Sequence, residues 1–240
     1  MSSREDGSSQ EDRGEFPHPP LPRGRHRLSP EEIAEDQRRR LLAAMAESVA
    51  ARGYAATSVE RVIELAGVSR ATFYEQFGNR RECLLAAQEA IFDRFIGEVS
   101  AACSHGTAWR DRAAAAIGAA VEFAVRRPEE ARLLSLDTIA VDAEAARNAL
   151  TGTERLAAML RTGRDHHRRA ADLPAVTERA LVGAIASAIN WCLLSGEPLA
   201  DLEPQLVQLV LTPYLGTAAA VRQADKVGRR LGGEIPAVDT

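Results

Sequence analysis

Residues 56–84 read ATSVERVIELAGVSRATFYEQFGNRRECL, and this stretch decides the fold. Thr57 or Ser58 is placed to cap a short helix that runs through Ala66. Gly67 then supplies the positive φ of a tight turn, and Val68 tucks into the angle between helices. Ser69 caps the next helix, whose Phe73 and Phe77 return to the core at four-residue spacing. Two short helices joined so briefly must cross steeply, which is helix-turn-helix geometry. The second helix presents Ser69, Arg70, Thr72, Tyr74 and Gln76 outward, donor types that suit phosphates and base edges in a major groove. Asn79 caps a further helix, whose free N–H groups join Arg80 and Arg81 as a second anion-binding point.

Outward from this segment the chain reads as all helix, with few β-branched residues and no alternating strand pattern. Ser29-Pro30-Glu31-Glu32 is a helix start, Leu41, Leu42, Met45 and Val49 follow at helical spacing, and Gly53 closes the helix as a left-handed cap. Further helices are expected over 58–66, 69–76, 79–102, 107–126, 128–140, 143–166, 175–195 and 203–225, with a kink or break at Pro213. Residues 1–29 are polar and Pro-rich without apolar periodicity. They are either a solvated tail or an arm, ending in Arg23, Arg25 and Arg27, that reaches DNA. The division expected is a disordered arm over 1–29, a helix-turn-helix domain over 30–78, an effector-binding and dimerisation domain over 79–228, and a flexible tail over 229–240.

At 240 residues, with 45% apolar and 27% charged side chains, the chain has the composition of a globular protein. Its net charge of −4 hides an uneven distribution: residues 23–84 carry eleven arginines against nine acids. That small positive island permits a polyanion partner. The three cysteines, Cys83, Cys103 and Cys192, are far apart and fit neither a disulfide framework nor a metal site. Cys83 reads as a core residue or, beside Arg80 and Arg81, as a redox sensor. The start lacks the basic-then-apolar build of a signal peptide, and Ala180–Leu194 falls short of a membrane span, so a cytoplasmic location without membrane association is expected. His166 and His167 beside Asp165 are flanked by Arg164, Arg168 and Arg169, which favours a solvated face over a metal site. No catalytic signature, metal spacing or phosphate loop is found, so neither an enzyme nor a cofactor is expected.

The combined spacing of Thr57, Gly67-Val68-Ser69, Thr72, Tyr74, Phe77 and Asn79-Arg80 resembles the TetR family of bacterial transcriptional regulators. The resemblance covers residues 36–88, with a further echo in Leu211-Thr212-Pro213-Tyr214-Leu215-Gly216. It implies that Arg70, Thr72 and Gln76 read bases, that Thr57, Tyr74 and Arg80 hold phosphates, and that Val68, Phe73 and Phe77 hold the fold. Four positions depart from the family pattern: Ile63 replaces a small residue, Arg80 a lysine, Gln76 a common histidine, and Glu60 a frequent arginine. The resemblance also implies a homodimer through the last two long helices. Their apolar stripes are Leu181, Val182, Ile185, Ile189 and Leu193, and Leu202, Leu206, Leu209, Val210 and Tyr214, although both equally suit core within one chain.

The middle helices, 107–166, would enclose an effector pocket in this family, for which Trp109, Phe123, Leu133, Leu134, Leu136, Leu156, Met159 and Trp191 are candidates, each equally at home in plain core. The fold class is therefore all-α: an N-terminal three-helix helix-turn-helix domain and a C-terminal helical bundle for effector binding and dimerisation. The function expected is a homodimeric regulator, a repressor, released from double-stranded operator DNA by a small apolar ligand. The alternative is an all-helical small-molecule or lipid-binding protein, or an interaction module, without DNA binding.

Overall fold

In the computed structural model, residues 29–104, 108–134 and 143–233 are described. Every regular element among them is helical: α1 (Pro30–Arg52), α2 (Val59–Ala66), α3 (Arg70–Gln76), α4 (Arg80–Cys103), α5 (Trp109–Arg126), α6 (Pro128–Leu133), α7 (Ala143–Arg161), α8 (Thr177–Ser195), α9 (Leu202–Leu215) and α10 (Thr217–Gly233). Local chemistry explains the starts of the first four. Ser29 accepts from Glu32 N at 3.1 Å while Glu32 Oε2 accepts from Ser29 N at 2.6 Å, a complete capping box with Pro30 at the first helical position. Ser58, Ser69 and Asn79 cap α2, α3 and α4 by accepting the N–H of Arg61, Thr72 and Glu82 on their side-chain oxygens. Gly53 ends α1 with φ 75° but an extended ψ of 160°, so it turns the chain outward and is not a left-handed cap.

The first core joins Leu41, Met45, Val62, Phe73, Phe77, Leu84 and Ile91 of α1–α4. Phe123 of α5 and Leu133 of α6 complete it, so the small N-terminal domain is seated on the larger one. The second core is built by α5, α7, α8, α9 and α10 around Trp109, Ile117, Val207, Val210, Leu211 and Tyr214. Trp109 is its hub, with its ring centroid 4.5 Å from that of Tyr214 and 5.5 Å from that of His167. The same indole lies on Gly163, where a Cβ would fall 2.3 Å from the ring, so no larger residue fits there without moving the tryptophan.

Several expectations are corrected. The helix expected over 203–225 is two helices, and the break is at Gly216 (φ 78°), with Pro213 inside α9. A proline omits one ladder bond and bends a helix, whereas positive φ ends it. α10 continues to Gly233, five residues into the segment expected as a tail, and Arg230 of α10 pairs with Glu203 of α9 at 2.9 Å. α7 stops at Arg161 and passes into 3-10 turns over Thr162–Asp165 and Arg168–Ala170. Leu206, Val210 and Tyr214, expected on a dimer stripe, are buried inside the chain, where α9 packs chiefly on α10 and α5. The arm before Ser29 and the residues after Gly233 lie outside the described residues, as does the helix expected beyond Leu134.

The irregular segment between α7 and α8 is fastened by Glu178, which is fully buried. Arg164 donates to it twice, at 2.7 and 2.9 Å, and the Tyr214 hydroxyl donates at 3.0 Å. Arg164 also donates to the carbonyls of Leu173 and Pro174, at 2.7 and 2.9 Å. Burial pushes the Glu178 carboxyl up, but the Arg164 and Tyr214 hydrogen bonds outweigh it and hold the group below its ordinary value. A depressed folded value contributes stability above the ordinary carboxylate range, and that stability is lost as pH falls through it. Glu178→Ala, which strands Arg164, is expected to cost about 2–3 kcal/mol at neutral pH, since the Arg164 side chain is 21% exposed and water can take over part of its solvation. In urea titrations from about pH 7 down to about pH 4, the wild-type midpoint should fall more steeply than that of Glu178→Gln; parallel curves would show that this carboxylate does not carry the dependence.

Candidate nucleic-acid interface

The surface in question is built by one corner. Gly67 adopts φ 62° and ψ 40°, the left-handed region, as the last residue after α2. Its N–H donates to Glu64 O and that of Val68 to Ile63 O, both at 3.2 Å, so the orphan carbonyls of α2 are satisfied. Arg40 of α1, itself held by Asp36 at 3.0 Å, donates to Ala66 O at 2.9 Å and grips the end of α2 from the side. Ser69 then accepts from Thr72 N at 3.0 Å and opens α3. Phe73 and Phe77, 5.8 Å apart at their centroids, are buried against α1. The opposite side of this seven-residue helix is left to solvent.

On that side Ser69 and Arg70 are exposed and Thr72 and Gln76 half-buried, while Tyr74 is 50% exposed with its ring edge-on to Phe73. The Ser69 and Thr72 hydroxyls lie 2.9 Å apart at the N-terminus of α3. Arg70 forms an ion pair with Glu60 of α2, so the acid that departs from the family pattern stands beside an expected base-reading residue. Both side chains remain more than half exposed. These six residues, Glu60 included, form one polar surface.

Thr57 is not on it. Its side chain is fully buried, donating to Gly53 O at 3.0 Å and lying 3.1 Å from Ser48 Oγ. The hydroxyl expected to hold phosphate instead ties the end of α1 to the start of α2, and Ser58 takes the capping role. Arg80 lies at the edge of the surface, with its guanidinium 4.2 Å from the Tyr54 ring centroid and a hydrogen bond to Thr57 O. Arg81 turns the other way and pairs with Glu144 of α7 at 2.6 Å. The second anion point expected at the N-terminus of α4 is filled from within: Glu82 accepts from Gly78 N at 2.9 Å and from Asn79 Nδ2 at 2.7 Å. Cys83 is fully buried and its thiol is pushed up to about 12 by burial, with Arg38 opposing, which removes the redox-sensor reading.

Behind the helix-turn-helix domain, a cavity of about 730 Å³ lies between α4, α5, α7 and α8. Phe123, Leu134, Leu156 and Met159 line it as candidates from the sequence. Trp109 and Leu133 are core, Trp191 faces outward, and Leu136 lies outside the described residues. Two walls were not expected from the sequence: Leu85, Gln88, Phe92, Phe95 and Val99 of α4, and Val182, Ile185, Ile189 and Leu193 of α8, which were expected on a dimer stripe. The three- and four-residue spacing of the α4 face was the available signal, masked because α4 is apolar on its other face as well.

Comparisons with known proteins agree with this geometry. The family described as bacterial regulatory proteins, tetR family, matches residues 41–87. The HTH-type transcriptional activator FasR of Mycolicibacterium smegmatis is 28% identical over 123 residues, which is 51% of this chain and 56% of that protein. The chain thus matches little more than half the length of this curated relative. Among solved structures, the fatty acid degradation regulator FadR of Bacillus halodurans superposes with a TM-score of 0.65 at 18% identity, covering 73% of this chain and 94% of that one. A putative TetR-family regulator from Rhodococcus sp. gives 0.61 at 23% identity, covering 75% and 99%. At these identities the structural likeness speaks for the fold. The corner at Gly67, the helix that follows it and the match over residues 41–87 make this N-terminal segment similar to that of the bacterial regulatory proteins of the tetR family.

Proposed function

We propose that the chain is a homodimeric, DNA-binding transcriptional regulator whose grip on double-stranded operator DNA is controlled by a small apolar ligand. The observation that carries this reading is the outward polar face of α3, on which Arg70, Thr72, Tyr74 and Gln76 stand clear of the core while Phe73 and Phe77 hold the helix from behind. Arg70, Thr72 and Gln76 read base edges; Ser69, Tyr74 and Arg80 hold phosphates. The buried Thr57 serves by fixing the backbone at the start of α2, where Arg80 bonds its carbonyl. Function rests on binding, with no chemical step. No helix among the described residues is long and apolar enough to cross a membrane, and the cytoplasmic location proposed follows from the DNA partner.

The dimer is supported by α8. Val176, just before it, Gly183, Ser187, Trp191 and Leu194 form an exposed stripe of apolar and small residues, with Trp191 65% and Leu194 64% exposed. Large contiguous apolar patches on a globular surface mark protein contacts, and a two-fold pair places two α3 helices on successive major grooves. The role of α9 in the dimer is smaller than the sequence suggests, since Leu209 is its exposed large apolar side chain and the rest of that stripe is core.

Control by ligand is supported by the cavity, whose wall includes α4, the helix that runs from the reading domain into the bundle. A ligand that binds best to one spacing of the paired α3 helices shifts the population toward it. Repression is the simplest outcome for a protein that occupies an operator. Activation is the second reading, favoured by the name of the M. smegmatis relative. A promoter-reporter assay with and without the chain separates the two by sign.

Selection of bound fragments from a random DNA pool should yield a two-fold symmetric site whose affinity falls steeply with salt. Recovery of no site, or salt-independent retention, would sink the DNA reading. Arg70→Ala is expected to weaken that site by about tenfold or more, with loss of preference at one base position, whereas Tyr74→Ala should lower the salt slope by about one and weaken all sequences alike. Trp191→Asp with Leu194→Asp is expected to give a monomer in sedimentation with the same far-ultraviolet helix signal and a large loss of operator affinity. A dimer that persists would move the interface elsewhere.

A further inference from the structure

The cavity between α4, α5, α7 and α8 has a volume of about 730 Å³, within the range of small-molecule sites, and an apolar wall that includes Phe92, Phe95, Ile117, Phe123, Met159 and Ile189. Two neutral amides interrupt it, Gln88 on α4 and Asn190 on α8. Each has a buried side-chain oxygen, Gln88 Oε1 and Asn190 Oδ1, with no hydrogen-bond partner among the described residues. Buried polar atoms are as a rule satisfied, so two at one cavity point to a bound group that satisfies them. An amide turned either way offers an acceptor or a donor but never a charge.

The charged residues of this lining are mostly acidic, and two of the acids, Asp93 and Glu144, are paired with Arg155 and Arg81. Its solvent-facing part carries Glu82, Glu89, Asp93 and Glu144. Arg155 is the sole cationic residue among the described lining, and it is already committed, pairing with Asp93 at 3.0 Å with its guanidinium 5.2 Å from the Phe92 ring centroid. A carboxylate entering this cavity would leave water for an apolar wall, pass a ring of acids and find no free cation.

We propose that the cavity binds an uncharged, predominantly apolar molecule through one hydrogen-bonding group, of the class of a long-chain alcohol, amide or ester, held by Gln88 and Asn190, and that it rejects the corresponding carboxylate. This rests on the ligand-controlled reading above and narrows it to a chemical class.

The test is displacement of Nile red, a neutral apolar dye, from the purified full chain at about pH 8 by 1-dodecanol, dodecanoate and dodecylammonium. The alcohol is expected to displace it at about tenfold lower concentration than either ion. Gln88→Leu with Asn190→Leu should shrink the alcohol's advantage, and Gln88→Lys should turn the preference toward dodecanoate; the second variant introduces a cation and keeps the test decisive if the first does not fold. Equal or tighter binding of either ion, absence of displacement by all three, or preferences untouched by both variants that fold would overturn the inference. Operator binding measured without any ligand reports separately on the regulator reading. Loss of DNA binding with alcohol selectivity intact would remove that reading and leave the ligand class standing.

Discussion

α3 has seven residues, too few to hold a helix in water by its own hydrogen bonds. Its existence and its direction therefore come from outside it. Four contacts supply them: the left-handed Gly67, the Ser69 cap, the Arg40 guanidinium on the last carbonyl of α2, and the burial of Phe73 and Phe77 against α1. Remove Phe73 and the cap has no helix to start; remove the positive φ and the helix points elsewhere. The polar face is placed by default, because once Phe73 and Phe77 are inside, Arg70 and Tyr74 have only the outside left. Whatever the chain reads, it reads through the orientation set at this corner.

The two cores are not independent. Phe123 belongs to the N-terminal core, and its ring meets that of Phe95, a cavity residue, with centroids 5.2 Å apart and an edge-on geometry. Leu133 of α6 also sits in the N-terminal core, while Arg132, its neighbour, donates to Leu193 O of α8 at 2.6 Å. Arg94 of α4 bonds Glu130 of α6 at 2.7 and 2.8 Å. The cavity wall and the seat of the reading domain thus share residues. A displacement of Phe95 or of α8 is felt at Phe123 and α6 because packed interiors yield as units. This is spatial contiguity, the structural requirement for the proposed coupling between a ligand in the cavity and the spacing of two α3 helices in the proposed dimer.

Legibility in the sequence followed the range of the interaction. The starts of α1 to α4 were legible, since a Ser or Asn cap, a following acid and a closing glycine act over three or four residues. Phe73 and Phe77 were assigned inward from spacing alone, and they are buried. Contacts across long separations were not legible. Arg40 meets Ala66, Arg81 meets Glu144, and Glu178 joins Arg164 and Tyr214 through folding that no local pattern encodes. Thr57 was misassigned because a threonine before a helix has two uses for its hydroxyl, and the nearby Gly53 carbonyl and Ser48 hydroxyl claimed it. The end of α9 was misplaced because Pro213 is the louder local signal, yet its missing N–H is tolerated within the helix, and the chain turns only where Gly216 takes positive φ. The cavity drew two walls, α4 and α8, from outside the expected 107–166 range, since enclosure is a property of four helices together.

The pairing of Arg70 with Glu60 bears on how the proposed interface works. An exposed ion pair contributes about 0–1 kcal/mol, because water already solvates both partners and two long side chains lose freedom in meeting. Both members here are more than half exposed, so separating them costs little. A base edge or a phosphate oxygen in a groove, with water partly excluded, offers Arg70 a stronger partner than the carboxylate does. The exchange is therefore downhill for the arginine, and Glu60 is left facing the phosphates as a like charge. The consequence is a bias against weak sites: a sequence that gives Arg70 a good partner offsets the exposed carboxylate, and one that does not bears its repulsion without return. On the proposed DNA reading, the acid at a position where the TetR family often carries a basic residue lowers affinity for DNA in general and sharpens the choice among sites.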